Sequence, residues 1–322
     1  MSHEIQQLRA DGSLRHLLTL EDLPRTLIES LLDQAQGFVQ QSGERIPARS
    51  DLKGVTVANL FTEPSTRTRV SFELAAKRLG AEVVNLEVQL SSRVKGESML
   101  DTVFTLEALH VDVLVIREAE AGVLNLVASH VGPHVNVLSG GEAHLSHPTQ
   151  GLLDALTVRQ RKGRLDNLSI AIVGDVRHSR VARSAYQVFR TLGVPDLRIV
   201  APAAFMPEAE EFAGCTRHAS LRTGLKDVDV VIMLRIQRER MSHTSLLDAD
   251  RYFAKYGLAP ERLALAKPDA IVMHPQPMNR GIEIASDVAD GAQSAIRDQV
   301  RNGVAVRMAV LAKVMESGAR RA

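Results

Sequence analysis

Cysteine is almost missing from this sequence. Cys215 is the single one in 322 residues, which excludes an internal disulfide and a cysteine-built metal centre within one chain. Tryptophan is absent and aromatic residues make up only 3%, too few for the stacking platforms of a nucleic-acid-binding surface. Neither sign of charge is in excess: a formal net charge of +1 supplies no basic field for nucleic acid or for an anionic membrane. No apolar run approaches the roughly 20 residues that span a bilayer. The start, Met1-Ser-His-Glu-Ile-Gln6, lacks the apolar core of a signal peptide, so the expected location is the cytoplasm. The glycine-rich dinucleotide turn is missing too. After the apolar run Leu168–Val173 only Gly174 follows, with no G-x-G-x-x-G, which argues against a dinucleotide site.

What is present is an alternation. Short, β-branched apolar runs occur at 54–60, 82–88, 111–116 and 136–139, and again at 168–173, 197–200, 228–233 and 270–273. Between them lie helical periodicities, at 65–79 for example, where Val70, Leu74, Ala75 and Leu79 recur and Gly80 supplies a stop. This pattern predicts an α/β protein of two domains, each a parallel β-sheet flanked by helices. The basic segment Arg159–Arg164 ends a connecting helix, and the passage between domains falls at 155–165. The domains expected are 1–155 and 156–292, with a last helix over 293–315.

One helix start has the wrong charge. Helix N-termini carry partial positive charge and favour acidic side chains. The stretch Ser65-Thr-Arg-Thr-Arg69 offers Arg67 and Arg69 with the hydroxyls of Ser65, Thr66 and Thr68. Ser65 stands at the N-cap, where its hydroxyl is expected to satisfy a helix N–H. Backbone N–H groups, hydroxyls and a guanidinium converging on one point make a phosphate site; taken alone, the stretch also fits a solvated basic helix start. Arg117, at the carboxyl end of the 111–116 run, is placed to reach the same anion, because ligands gather at strand carboxyl ends in open parallel sheets.

Other polar residues stand at strand or helix ends. Pro148 pre-sets a helix, leaving His147 at its mouth and Gln150 in its first turn. A neutral imidazole there can donate a hydrogen bond to a carbonyl. Arg235 and Gln237 alternate along an extended segment after the 228–233 run, so both can face one ligand, and an arginine fork fits a carboxylate. On its residues alone, a charged surface loop after a strand is the favoured reading of that segment. In His274-Pro-Gln-Pro277 two prolines fix a loop and leave carbonyl oxygens exposed to a ligand.

Ser65–Arg69 resembles the carbamoyl-phosphate signature of the transcarbamoylases, and the run His147-Pro-Thr-Gln150 resembles that family's His-Pro-x-Gln motif. The likeness covers nearly the whole chain. It is to the branch whose acceptor is L-aspartate, the reaction of an early step in pyrimidine biosynthesis. The resemblance implies a first domain binding carbamoyl phosphate, completed by the C-terminal helix 293–322 crossing back to it, and a second domain, 156–292, binding aspartate. Carbamoyl phosphate would meet Ser65, Thr66, Arg67, Thr68, Ser91, Lys95, Arg117, His147, Gln150 and the main-chain oxygens of Pro275 and Gln276. Aspartate would meet Lys95, Arg180, Arg235 and Gln237. The catalytic set implied is Arg67, Thr68, Lys95, Arg117 and His147, with Arg117, Thr68 and His147 stabilising the oxyanion and the domains closing on the substrates. Ser91 and Lys95 would come from a neighbouring subunit, which implies a homotrimer. No cofactor or metal is implied.

Two alternatives stay open. Ornithine shares the phosphate half, but an ornithine enzyme is expected to carry His-Cys-Leu-Pro where this chain has His274-Pro-Gln-Pro277. A catalytically silent assembly subunit should have lost part of the constellation, and every matched position holds a competent residue. Whether a trimer stands alone or joins a dihydroorotase-like or regulatory chain is left open by the sequence.

Overall fold

The computed structural model describes residues 7–40, 44, 47, 49–87, 96–236 and 249–316. The chain divides into two compact units. The first runs to Thr149 and resumes at Arg301; the second is Gln150–Val300.

The first unit holds α1 (Arg25–Phe38), β1 (Thr56–Phe61), α2 (Thr66–Arg78), β2 (Glu82–Glu87), α3 (Met99–Ala108), β3 (Val113–Glu118), α4 (Val123–His130) and β4 (Asn136–Glu142). Its sheet has the order β2-β1-β3-β4 with every pairing parallel. β1 is buried along nearly its whole length and β4 along all of it. Burial on both faces is the reason the start of β3, Val113–Ile116, reads as a continuous apolar run rather than an alternating one. Leu60, Val103, Leu114, Ile116, Val127 and Val137 meet in one core.

Helix α5 (Pro148–Lys162) leads into the second unit: β5 (Ser169–Val173), α6 (Arg180–Thr191), β6 (Asp196–Val200), β7 (Thr216–His218), α7 (Leu221–Gly224), β8 (Val230–Met233), α8 (Ala249–Tyr256), α9 (Pro260–Leu263), β9 (Ile271–Met273) and α10 (Ser286–Ala289). The sheet order is β7-β6-β5-β8-β9, again all parallel. Helix α11 (Ile296–Glu316) then leaves the second unit and ends in the first. There Arg307 stacks over Phe72 of α2 at 5.0 Å, and Arg9 donates to the Val314 carbonyl at 3.2 Å. Among the described residues no helix is long and apolar enough to cross a membrane.

Both strand orders reverse direction once. In the first sheet the chain steps from β1 outward to β2, then back across to β3. In the second it builds β5, β6 and β7 on one side, then β8 and β9 on the other. Such reversals open a crevice at the strands' carboxyl ends, where ligands bind in open α/β sheets. The crevices flank β1/β3 and β5/β8.

One sequence expectation needs correcting here. Ser65 is the N-cap residue of α2, but its side chain makes no capping hydrogen bond. Arg117 stands at the carboxyl end of its strand, as expected: β3 starts at Val113 and includes Arg117 as its penultimate residue. Its two last positions are polar, which is why the apolar run ended earlier than the strand.

Candidate active site

In the first unit the loop after β1 is tied to the end of β3. Thr62 donates from its backbone N and its hydroxyl to the Arg117 carbonyl, both at 3.0 Å, and from the hydroxyl to Glu118 at 2.9 Å. That loop delivers the chain into α2, whose first turn contains no acidic residue. Thr68 is buried there, whereas Thr66 and Arg67 are exposed and Ser65 is half-buried.

Arg117 is aimed by an irregularity in its neighbour. The β3/β4 register shifts between Ile116 and Arg117, pairing them with Ser139 and Gly141 and leaving Gly140 as the extra residue. A Cβ on Gly140 would stand 3.3 Å from the Phe61 ring and 3.4 Å from the Arg117 Cβ, a close fit that suits glycine. Such bulges re-aim side chains beside functional sites. The Arg117 guanidinium donates to the Gly140 carbonyl at 3.1 Å and pairs with Glu63 at 3.1 Å. Arg117 and Glu63 thus span the crevice between β1 and β3.

β4 ends in a tight reversal that sets His147. Glu142 N donates to the Ser146 carbonyl at 2.9 Å, and the next residues, His147 and Pro148, enter α5. His147 is buried. The Glu142 carboxylate accepts from Gly122 N at 2.9 Å and Leu124 N at 3.1 Å, closing the start of α4. Burial raises its pKa, with the Glu118 charge adding to the rise and the two N–H donors opposing it.

In the second unit the crevice between β5 and β8 is bordered by Gly174–Arg180 and by Leu234–Ile236. Gly174 has φ +123°, and a Cβ there would lie 3.1 Å from the Leu234 carbonyl oxygen. The lone glycine therefore serves the close approach of two strand ends. Ser179 caps α6 by accepting from Ala182 N at 3.1 Å, and Arg180, the first helical residue, is buried. His178 Nδ1 stands 2.8 Å from Asp175 Oδ1. Arg235 is half-buried, and Leu234 N donates to the Val173 carbonyl at 2.8 Å. Gln237, Ser91 and Lys95 lie outside the described residues.

The loop after β9 carries Pro275 and Gln276, both half-buried, with Gln276 at φ +56° and a cis bond to Pro277. It is held from behind. His274 N donates to Gln299 Oε1 and Gln276 N donates to His274 Nδ1, each at 2.9 Å. Asp154, which the sequence reading did not mark, accepts from Gln150 Nε2 at 2.9 Å and from Gln299 Nε2 at 2.8 Å. Burial pushes the Asp154 carboxyl up to about 7, and the donors from Gln299 and Gln150 oppose that rise. The four-residue step from Gln150 to Asp154 puts both on one helix face, the one signal the sequence offered. Gln299 had none.

The first unit thus offers an open, basic helix start beside Arg117 and His147. The second offers two arginines at its strand reversal and a braced loop of carbonyls. Oxyanions suit the first set and a carboxylate the second.

Residues 15–160 match the aspartate/ornithine carbamoyltransferase carbamoyl-P binding domain, and residues 166–314 match the Asp/Orn binding domain of the same description. The chain is 31% identical to an aspartate transcarbamoylase from Trypanosoma cruzi solved with carbamoyl aspartate and phosphate, with TM-score 0.84, covering 95% of this chain and 98% of that one. The same enzyme in complex with N-(phosphonacetyl)-L-aspartic acid matches at 30% identity and TM-score 0.83, over 96% and 99% of the two chains. An ornithine carbamoyltransferase from Pyrococcus furiosus matches at 29% identity and TM-score 0.82, over 94% and 97%.

Proposed function

We propose that this chain, which belongs to the aspartate/ornithine carbamoyltransferase family and is a carbamoyl-group transferase, takes L-aspartate as its acceptor. The products are N-carbamoyl-L-aspartate and phosphate, an early step of pyrimidine biosynthesis. Similarity alone does not choose the acceptor, because the Pyrococcus furiosus ornithine enzyme resembles the chain nearly as well as the Trypanosoma cruzi aspartate enzyme. The chemistry of the site residues supports aspartate.

The observation that carries the reading is where the arginines stand. Each sheet reverses once, and each reversal carries two of the four arginines singled out in the sequence: Arg67 and Arg117 beside β1/β3, Arg180 and Arg235 beside β5/β8. Two anionic ligands fit that distribution, a phosphate and a dicarboxylate. Ornithine carries an ammonium on its side chain, which Arg235 would repel; the second carboxylate of aspartate pairs with it.

The aspartate amine attacks the carbamoyl carbon. A C–N bond forms, the carbonyl oxygen takes the negative charge, and Arg117, Thr68 and His147 stabilise it by charge and hydrogen bonding. The C–O bond to phosphate then breaks as the attacking nitrogen passes its extra proton to the departing phosphate, which leaves into the Ser65–Thr68 cradle with Arg67. Gln150 and the carbonyls of Pro275 and Gln276 hold the carbamoyl NH₂. Arg180, Arg235 and Gln237 hold the carboxylates of aspartate. Substrate competes with Glu63 for the Arg117 guanidinium. Orienting the reactants in this way supplies about 7–11 kcal/mol of the barrier reduction. The active assembly in this reading is a cytoplasmic homotrimer, each site receiving Ser91 and Lys95 from a neighbouring subunit.

The test is carbamoyl transfer by the purified chain with L-aspartate or L-ornithine. Product with aspartate alone is expected. Product with ornithine alone would overturn the acceptor assignment and leave the phosphate half standing. Mixing Arg67→Ala and Lys95→Ala chains should regenerate activity in hybrid trimers, and no recovery would overturn the shared site.

A further inference from the structure

Gln150, Asp154, Gln299, His274 and Gln276 form one continuous hydrogen-bonded chain inside the second unit. We propose that Asp154 and Gln299 are positioning residues that lock the Gln150 amide and the His274–Gln276 main chain into a single register, presenting only acceptors to the carbamoyl NH₂ group. The proposal rests on the reading of Gln150 and of the Pro275 and Gln276 carbonyls as partners of that NH₂.

The argument is one of donor and acceptor polarity. Asp154 is fully buried, and its Oδ1 accepts from both Gln150 Nε2 at 2.9 Å and Gln299 Nε2 at 2.8 Å. A carboxylate oxygen receiving two donors fixes which way each amide points. Gln150 must turn its nitrogen inward, so its oxygen is the atom left for a ligand. The same constraint turns the Gln299 oxygen toward His274 N, which it accepts at 2.9 Å.

From there the chain passes through the imidazole. His274 Nδ1 accepts from Gln276 N at 2.9 Å, so the ring proton sits on Nε2 and points at Glu283 Oε1, 3.2 Å away. Glu283 is itself buried and accepts from Asn279 N, the far side of the same loop. The loop backbone is therefore gripped at 274, 276 and 279. Burial favours a neutral Asp154 up to about pH 7. Asp154 Oδ2 has no partner among the described residues and can take that proton, leaving Oδ1 as the shared acceptor.

The experiment compares carbamoyl phosphate with inorganic phosphate, which fills the Ser65–Thr68 cradle but has no NH₂ group to place. In Asp154→Leu and Gln299→Met, KM for carbamoyl phosphate should rise roughly tenfold, about 1.4 kcal/mol, while the inhibition constant of phosphate stays within about twofold. Asp154→Asn keeps an oxygen for both donors and should restore KM. An unchanged KM in folded Asp154→Leu and Gln299→Met would overturn the proposal. So would phosphate inhibition weakening in step with KM, or Asp154→Asn behaving like Asp154→Leu. If Asp154→Leu does not fold, Gln299→Met carries the test. Gln150→Met separates the two layers: if its KM stays at the wild-type value, the assignment of Gln150 fails, whatever the network does.

Discussion

Helices α2 and α3 both begin at a serine and end in opposite uses of it. At α3, Ser98 accepts from Asp101 N at 3.2 Å while the Asp101 carboxylate accepts back from Ser98 N at 3.2 Å, a closed capping box. At α2, Ser65 makes no capping bond, the third helical position holds Thr68 instead of an acid, and arginines stand at 67 and 69. One helix caps Asp101 N with its own serine and carries an acid in its first turn. At α2 neither the serine cap nor a first-turn acid is present. In the proposed function that helix start is where the phosphate binds.

That contrast can be broken from either side. The largest effect is expected from Arg67→Ala: kcat/KM should fall roughly a thousandfold with the melting temperature unchanged, since the side chain is exposed and the proposed reaction uses it on the departing phosphate. Wild-type turnover in the folded variant would remove Arg67 from the site. Next comes Ser65→Asp, which gives α2 the acid it lacks. Carbamoyl-phosphate affinity should drop about a hundredfold while stability rises by roughly 0.5 kcal/mol, because the new carboxylate complements the helix dipole and occupies the anion's place. Calorimetry beside steady-state kinetics reads both; a variant that gains no stability would show that α2 is not short of negative charge.

Smaller effects lie on the α3 side. Ser98→Ala should cost about 1 kcal/mol in urea denaturation without moving phosphate inhibition. A change in phosphate inhibition would mean that the two helix starts are not independent. The smallest effect is in pH. The Ser98 hydroxyl, then its backbone N–H, holds the Asp101 carboxyl below its usual 3.8. A depressed folded-state pKa contributes stability that is present above the unfolded value and lost as pH falls through the folded one. The difference between wild type and Asp101→Asn should therefore shrink in acid titrations below pH 3.8; a constant difference would exclude the carboxylate as its source.

Much of the architecture was legible in the sequence because parallel strands covered on both faces leave unbroken apolar runs, as at Val113–Ile116, Ile170–Val173 and Val230–Met233. The edge strand Thr216–His218 was missed: it is exposed along most of its short length, so burial imposed no pattern on it. The short helices α9 and α10 escaped for a similar reason, each being only four residues long and showing no period. Within the candidate site, Arg67 and His147 were readable from local charge and capping rules. The bulge at Gly140 that aims Arg117 was not, because it depends on register against a partner strand. The Asp154–Gln299 contact joins residues 145 apart, a separation at which no local spacing rule operates. Ser65 was read correctly as to place and wrongly as to bonding, since a cap residue's position does not dictate where its hydroxyl turns.

The reach of α11 into the first unit orders events on the ribosome. A chain is made from its N-terminus, and domains fold as they are completed, N-terminal first. Here the second unit is one uninterrupted stretch, Gln150–Val300, whereas the first waits for Arg301 onward. Phe72, a few residues past the phosphate motif, receives the Arg307 guanidinium only after nearly the whole sequence has been translated, and Arg9 finds the Val314 carbonyl later still. The unit that starts first thus finishes last. A chain ending at residue 300 would hold every residue of the second unit and lack the 301–316 segment that the first unit takes back from the far end of the sequence.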